Sequence, residues 1–201
     1  MKKVGITGTI ASGKTTVSSL IRRRGIPVFN CDNYAKMALL QHSSCYQALV
    51  DVLSKDVLDP NGEINPKKMA KMIFTDEKIR QKVNAIVHPF VLQGMRHFFE
   101  NHQDSPLLFA EVPLLYEAGW QNEFDYICVV TCSKEVAVKR MMEDREYTEE
   151  EALQRYHTQE KYRQQMMNAD MILENEGNIK ELDSQINKWI GKLRREMRHA
   201  N

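Results

Sequence analysis

The sequence predicts an α/β fold, a parallel five-stranded sheet sandwiched by helices, and three observations lead to this prediction. Strand-like and helical patterns alternate along most of the chain, which is typical of parallel sheets with right-handed crossovers. The runs at 107–112 and 126–131 are almost continuously apolar, as expected of strands covered on both faces. Residues 35–102 carry a nearly uninterrupted helical pattern. That stretch predicts a helical insertion between the second and third strands.

The first elements follow from local patterns. Residues 2–7 predict a strand, and residues 14–24, with apolar positions on one face, predict a helix. Gly25 suits the end of that helix because glycine tolerates left-handed backbone. Residues 26–29 predict the second strand, and Asp32 is expected to open the next helix. Within the insertion, a helix is expected to break at the pair His88-Pro89, since proline disfavours helical backbone in the residue before it.

The second half of the chain shows clearer end signals. Thr148 and Glu151 have the spacing of a capping box and predict a helix that runs to about residue 167. A short strand is expected at 171–173, and Asn178 is expected to cap a terminal helix. An apolar stripe of helical period supports that helix. It consists of Ile179, Leu182, Ile186, Trp189, Ile190 and Leu193.

The segment Gly8-Thr9-Ile10-Ala11-Ser12-Gly13-Lys14-Thr15 has the spacing of a phosphate-binding loop, the P-loop. In such a loop backbone N–H groups surround a polyphosphate, the lysine reaches the β- and γ-phosphates, and the threonine hydroxyl is placed to bind Mg²⁺. The predicted strand before it and the helix after it are the required context, and the helix N-terminus favours an anion. The alternative is a glycine-rich turn without a ligand. The motif with its flanks predicts a nucleoside triphosphate site.

Composition narrows the class of protein. The net charge is +1 with 27% charged residues, so no basic field indicates a nucleic-acid partner. No apolar run reaches the roughly 18 residues of a membrane helix. The four cysteines lack zinc-site spacing and are expected to be reduced thiols. Since residues 1–7 already predict structure, no signal peptide is expected, and we expect a cytoplasmic protein.

Carboxylates and arginines near predicted strand and helix ends are candidates for phosphoryl-transfer chemistry. Asp32 follows the second strand, where a carboxylate could orient an acceptor hydroxyl and take its proton; it could equally be only a helix N-cap. Glu111 ends the third strand and could hold Mg²⁺ through water, or be a solvated strand end. Arg140, Arg145 and Arg155 flank a helix break that could form a lid, or belong to solvated helix faces.

These residues give the chain a resemblance to the dephospho-coenzyme A kinases. The resemblance runs nearly end to end and rests on six segments in order. They are the P-loop, an Asp-x-Asp-like segment ending at Asp32, a His-Pro pair at His88-Pro89, the run Pro113-Leu114-Leu115-Tyr116-Glu117, the Arg140 to Arg145 lid with Arg155 and Gln159 behind it, and the stretch from Ala169-Asp170 to Asn175-Glu176-Gly177.

The resemblance implies a P-loop kinase-type core, a helical domain for the coenzyme A moiety, and a lid. The core would comprise 1–35, 105–140 and 168–201, the acceptor-binding insert 36–104, and the lid 141–167. ATP would donate the γ-phosphoryl group to the ribose 3′-hydroxyl of dephospho-CoA, with Mg²⁺ as cofactor. The partners would be these small molecules, with no nucleic acid or membrane, and the protein would be a monomer or weak homo-oligomer.

The resemblance also assigns roles to residues, and these stay expectations at this point. The catalytic set would be Asp32 as base with Lys14 and Arg140 stabilising charge on the phosphoryl group. ATP would contact Ala11, Ser12, Gly13, Lys14, Thr15, Thr16, Arg145 and, near the adenine, Asn175. The acceptor would contact His88, Pro113 and Leu114, and the metal Thr15 and Glu111.

The chain departs from the family pattern at four positions. The family usually has glycine where this chain has Thr9 and Ala11, and we expect triphosphate binding to survive both changes. Asn30 stands at the first carboxylate of the Asp-x-Asp pair, which leaves Asp32 alone. Pro66 stands where an arginine is common, with Lys67 and Lys68 beside it, and this change concerns recognition of the acceptor phosphate, not the reaction. The rival functions are a kinase with a smaller nucleoside or nucleotide acceptor and a non-catalytic ATP-ordered interaction protein.

Overall fold

The computed structural model describes residues 1–145, 147–159 and 166–199 and, for Arg145, the backbone only. Five strands form one parallel sheet in the order β2-β3-β1-β4-β5. Their bounds are Lys2–Gly8 (β1), Val28–Asn30 (β2), Leu107–Glu111 (β3), Tyr126–Thr131 (β4) and Met171–Glu174 (β5). The predicted α/β fold with a parallel five-stranded sheet is therefore confirmed.

Eight α-helices accompany the sheet within the described residues. Their bounds are Lys14–Arg22 (α1), Cys31–Met37 (α2), Tyr46–Leu53 (α3), Pro66–Thr75 (α4), Glu77–Glu100 (α5), Lys134–Arg145 (α6), Glu149–His157 (α7) and Ile179–His199 (α8). In the same described part of the chain, none of the helices is long and apolar enough to cross a membrane.

The chain divides into two compact units, one of residues 1–29 with 102–201 and one of residues 30–101. The first unit contains the sheet and buries one core in which side chains of β1, β3, β4 and β5 pack with those of α1 and α8. At its centre the rings of Phe109 and Trp189 meet edge to face, with centroids 5.7 Å apart. The predicted stripe of α8 is buried from Leu182 to Leu193, whereas Ile179 is half exposed.

The second unit has its own apolar core, formed by α3, α5 and the segments beside them. One expectation for it was wrong: α5 continues through Pro89 instead of breaking at His88. Val83, before the proline, is buried in this core, and Phe90, after it, packs against the same core. Burial of the helix on both sides of Pro89 outweighs the backbone hydrogen bond that proline removes.

The start of α2 also differs from the expectation. The helix begins at Cys31, and Asn30 is its N-cap, because the Asn30 side chain accepts a hydrogen bond from the Asn33 N–H at 2.8 Å. Asp32 therefore does not cap the helix and lies exposed in its first turn. The helix N-terminus favours its negative charge there. The purely structural alternative for Asp32, an N-cap, is excluded.

Candidate functional site

The loop that connects β1 to α1 requires glycine at both of its fixed positions. A Cβ on Gly8 would lie 2.0 Å from the carbonyl oxygen of Val130 in β4. Gly13 has a φ of +90°, and a Cβ there would lie 2.2 Å from Nδ2 of Asn175. Neither position can hold a side chain without moving its neighbours, so the two glycines let the loop lie close against β4 and Asn175.

Lys14 lies across this loop. Its Nζ donates hydrogen bonds to the carbonyl oxygens of Gly8 at 3.0 Å and of Thr9 at 2.8 Å. The ammonium group is thus next to the loop backbone whose N–H groups would surround a phosphate chain. A polyphosphate seated in the loop would have this charge beside it.

Thr15 and Glu111 bring two oxygen ligands together at the carboxyl ends of the strands. The Thr15 hydroxyl donates to Oε1 of Glu111 at 2.8 Å, and Glu111 is opposite Ile6 in the pairing of β3 with β1. Glu111 is only 3% exposed, so the alternative of a solvated strand end was wrong. Hydroxyl and carboxylate oxygens are the donors that Mg²⁺ prefers, and Mg²⁺ takes its remaining ligands from water and phosphates.

Within the described residues no three His, Cys, Asp or Glu side chains are grouped as a complete metal site. A magnesium ion at a phosphate site uses one or two protein ligands, and oxygens of the substrate and water supply the rest; Thr15 and Glu111 provide two such oxygens. The residues present therefore fit a magnesium ion that arrives with a nucleotide.

Side chains from distant parts of the sequence hold the apex of the loop. The Arg140 guanidinium donates to the carbonyl oxygens of Ala11 at 3.1 Å and of Asn175 at 3.0 Å. Asn175, which is buried, donates from Nδ2 to the carbonyl oxygen of Ser12 at 2.7 Å. The amide of Asn175 thus positions the loop, and the adenine contact that the resemblance implies stays a prediction. Arg140 is also next to the loop, and its role in stabilising charge on the phosphoryl group stays a prediction.

Ala11 adopts a left-handed backbone with φ of +56°. A non-glycine residue in this region costs about 1–2 kcal/mol, so this departure from the family glycine has a conformational cost. The hydrogen bond from Arg140 to the Ala11 carbonyl oxygen helps to hold the residue there. The loop therefore keeps its shape with an alanine where glycine would be unstrained.

The predicted lid is described in part. Thr148 forms the predicted capping box with Glu151, both hydrogen bonds being present, and the Arg155 guanidinium lies 4.4 Å from the ring centroid of Tyr147. The Arg145 side chain, assigned to ATP, lies outside the described residues, as does the predicted helical segment at 160–165.

Two residues of the second unit were expected at the site. Asp32 is exposed in the first turn of α2, which follows β2 directly in the chain. β3 lies between β2 and β1 in the sheet, so β2 is not paired with the strand that leads into the P-loop. His88 is half-buried in α5, and burial lowers the pKa of its imidazole, which favours the neutral ring at pH 7.

The turn after β3 carries the remaining acceptor candidates. The Pro113 carbonyl oxygen accepts a hydrogen bond from the Thr7 hydroxyl at 3.4 Å, which attaches this turn to the end of β1. Leu114 is 46% exposed, unusually high for a leucine beside a buried sheet, whereas Leu115 is fully buried. Their contact with an acceptor stays a prediction.

One contact with the loop was not singled out from the sequence. Oε1 of Gln159 accepts a hydrogen bond from the Ile10 N–H at 2.6 Å. Gln159 belongs to the lid segment that carries the family resemblance, which assigns it no contact. No local pattern could have identified it, because the two residues are 149 positions apart.

Comparison with known proteins agrees with this geometry. A family model described as dephospho-CoA kinase matches residues 2–181. A dephospho-CoA kinase of Geobacillus kaustophilus is 35% identical over 185 residues, covering 91% of this chain and 92% of the relative. One of Listeria innocua is 33% identical over 193 residues, covering 94% and 96%.

Solved structures show the same fold. The crystal structure of a Thermus thermophilus protein superimposes with a TM-score of 0.80 at 29% identity, covering 96% of this chain and 97% of that one. A dephospho-CoA kinase of Campylobacter jejuni gives a TM-score of 0.71 at 21% identity, covering 95% and 96%. With a family model spanning nearly the whole chain and relatives above 30% identity, the family predicted from the sequence is confirmed, and the chain belongs to the dephospho-CoA kinases.

Proposed function

We propose that the protein transfers the γ-phosphoryl group of ATP to the ribose 3′-hydroxyl of dephospho-CoA and releases CoA and ADP. Beyond the family itself, the observation that carries this proposal is the pairing of Thr15 with the buried carboxylate of Glu111 at 2.8 Å, next to Lys14. A loop that only bound an anion would need no buried carboxylate beside it. A carboxylate there is useful when a metal ion accompanies the phosphates.

In the reaction the bond between the γ-phosphorus and the bridging oxygen of ATP breaks, and a bond from that phosphorus to the 3′-oxygen forms. The loop N–H groups and Lys14 bind the phosphates and stabilise the charge that develops on them. The acceptor hydroxyl loses its proton to the carboxylate of Asp32. Thr15 and Glu111 would hold Mg²⁺, which when bound neutralises charge on the phosphate oxygens.

The segments outside the P-loop would bind the acceptor and close the site. Residues 36–104 would bind the acceptor through His88, and Pro113 and Leu114 of the core would also contact it. Residues 141–167 would act as a lid that excludes water, which otherwise competes with the acceptor for the phosphoryl group. The enzyme would work in the cytoplasm as a monomer or weak homo-oligomer.

The test is ADP release from Mg·ATP with dephospho-CoA, compared with nucleosides, nucleoside monophosphates and a blank without acceptor. We expect release only with dephospho-CoA, together with a product heavier by one phosphate. Release with another acceptor would keep the kinase chemistry and overturn the substrate. ATP binding without release for any acceptor would favour a nucleotide-dependent binding protein.

The buried amide of Asn175 gives a further prediction for this site. Asn175→Ala leaves the Ser12 carbonyl oxygen without this donor, a loss of about 1–3 kcal/mol. We expect the dissociation constant of Mg·ATP to rise by roughly tenfold, which corresponds to about 1.4 kcal/mol. Calorimetric titration of the nucleotide measures this change.

Asn187→Ala is the control, because Asn187 lies on α8 and accepts hydrogen bonds from Arg24 instead of contacting the loop. This variant should lose thermal stability but keep the wild-type dissociation constant. Equal affinity losses in both variants would contradict a specific role of Asn175 at the loop.

A further inference from the structure

We infer that Gln159 is a positioning residue that couples residues 147–159 to the phosphate-binding loop through the backbone amide of Ile10. The inference rests on the proposed function, because it assigns Gln159 a role in how the loop receives ATP. Gln159 itself need not touch the nucleotide.

On the α7 side of this contact, backbone hydrogen bonds hold Gln159 in place. Gln159 follows the last turn of α7. There the Thr158 N–H donates to the backbone carbonyl oxygen of Gln154 at 3.2 Å, and the Gln159 N–H donates to that of Tyr156 at 3.3 Å. From this position the carboxamide oxygen of Gln159 reaches the Ile10 N–H at 2.6 Å. Gln159 is half-buried, so water competes less for this hydrogen bond than at an exposed site.

Apolar packing joins the same two segments independently of that hydrogen bond. Ile10 and Ala11 pack against a buried cluster formed by α6, α7 and the residues before α6. Its buried members are Cys132, Ala137, Val138, Met141 and Ala152, with Tyr147, Leu153 and Tyr156 at its edge. The apex of the loop therefore packs against α6 and α7, so a change in the loop conformation alters its contacts with α7.

The hydrogen bond from the Ile10 N–H to Gln159 orients a backbone group of the loop, which the apolar packing of side chains does not do. The Thr9–Ile10 peptide is held on both sides: its carbonyl oxygen accepts hydrogen bonds from Lys14 Nζ at 2.8 Å and the Ser12 N–H at 3.3 Å, and its N–H donates to Gln159 at 2.6 Å. Arg140 fixes the carbonyl oxygen of Ala11 and Asn175 that of Ser12. Three consecutive loop residues thus have one backbone group each held by a distant side chain. A loop whose peptides are already oriented loses less entropy when it binds phosphates.

The test compares Gln159→Met, which keeps the length of the side chain and removes the acceptor, with Gln154→Met. Gln154 is exposed on α7, so the control carries the same substitution in the same segment. Hydrogen exchange is followed by mass spectrometry in peptides covering 4–13 and 147–159, in the free protein and with saturating Mg·ATP. The KM for ATP and kcat are measured in parallel.

In the free protein, Gln159→Met should speed exchange in the loop peptide by about fivefold, the equivalent of one ordinary hydrogen bond. Gln154→Met should match the wild type. Mg·ATP should slow exchange in both peptides of the wild type, whereas in Gln159→Met it should protect residues 147–159 less than in the wild type, because only the apolar packing still joins them to the loop. The KM for ATP should rise about fivefold, with kcat within twofold. Gln159→Glu keeps an acceptor oxygen and should restore wild-type loop exchange in the free protein.

If the loop peptide of Gln159→Met exchanged at the wild-type rate, the hydrogen bond between Ile10 and Gln159 would not hold the loop, and the inference would be wrong. Faster loop exchange with undiminished nucleotide protection of 147–159 would overturn the coupling. If Mg·ATP did not slow exchange in the loop peptide of the wild type, the proposed function would be wrong instead. The comparison of Gln159→Met with the wild type in the absence of nucleotide would still decide whether Gln159 holds Ile10.

Discussion

Asp32→Asn is expected to lower kcat by about 100- to 10,000-fold, the range over which a positioned general base contributes. Asparagine is nearly isosteric with aspartate but cannot take the proton of the acceptor hydroxyl. Because Asn30 and not Asp32 caps α2, the substitution leaves the N-cap of the helix intact, and thermal unfolding checks that the variant is folded. The dissociation constant of Mg·ATP should therefore stay within about twofold, since Asp32 has no assigned contact with the nucleotide. Single-turnover phosphoryl transfer and nucleotide titration measure the two quantities separately.

Asp51→Asn is the matched control for this variant. Asp51 is exposed on α3, in the same unit, and accepts a hydrogen bond from Gln47 at 2.8 Å. Its replacement should leave kcat unchanged. Turnover of Asp32→Asn close to that of the wild type would remove Asp32 as the base, and an equal loss in Asp51→Asn would indicate a general effect of charge.

Lys14→Ala should impair both binding and turnover. The lysine ammonium group beside the loop supplies charge-assisted hydrogen bonds, worth about 1.5–3 kcal/mol each. Its loss should weaken Mg·ATP binding by roughly 10- to 100-fold. A further loss in kcat of about 100- to 1,000-fold is expected, because charge on the transferred phosphoryl group is no longer stabilised. Titration with a fluorescent nucleotide and steady-state kinetics measure the two losses.

Lys139→Ala, one residue before Arg140, removes a lysine that is exposed and pairs with Glu143 at 3.8 Å. This control should behave as the wild type in both assays. If Lys14→Ala bound Mg·ATP normally and lost only turnover, the lysine would act in the transition state alone. Full activity of Lys14→Ala would exclude a role of Lys14 in phosphate binding and turnover.

Elements with a local signal were predicted well from the sequence. The β4 bounds were predicted residue for residue, and the capping box of α7 is formed as expected, because both depend on neighbouring residues. The start of α2 was misplaced because asparagine and aspartate are nearly equal as N-caps. Only the folded backbone reveals that Asn30, and not Asp32, has the extended conformation of a cap.

The remaining differences arise from tertiary packing. A proline predicts a helix end from local sterics, but α5 is buried on both sides of Pro89, and no local rule contains that burial. The burial of Glu111 depends on its place in β3 beside β1. The support of the loop by Arg140, Gln159 and Asn175 joins residues 129 to 163 positions apart. Such contacts are consequences of topology and leave no periodic pattern.

The central position of β1 in the sheet has a consequence for folding during synthesis. β1 leaves the ribosome before the other four strands of the sheet, yet both of its neighbours, β3 and β4, follow it in the chain by more than 90 residues. At a synthesis rate of about 5–20 residues per second, the strand waits on the order of ten seconds for its partners. The loop waits longer, until Asn175 has emerged. A nascent chain that ends before Asn175 lacks the amide that holds the Ser12 carbonyl oxygen, so we expect it to bind a nucleotide more weakly than the chain in which the loop is fully supported.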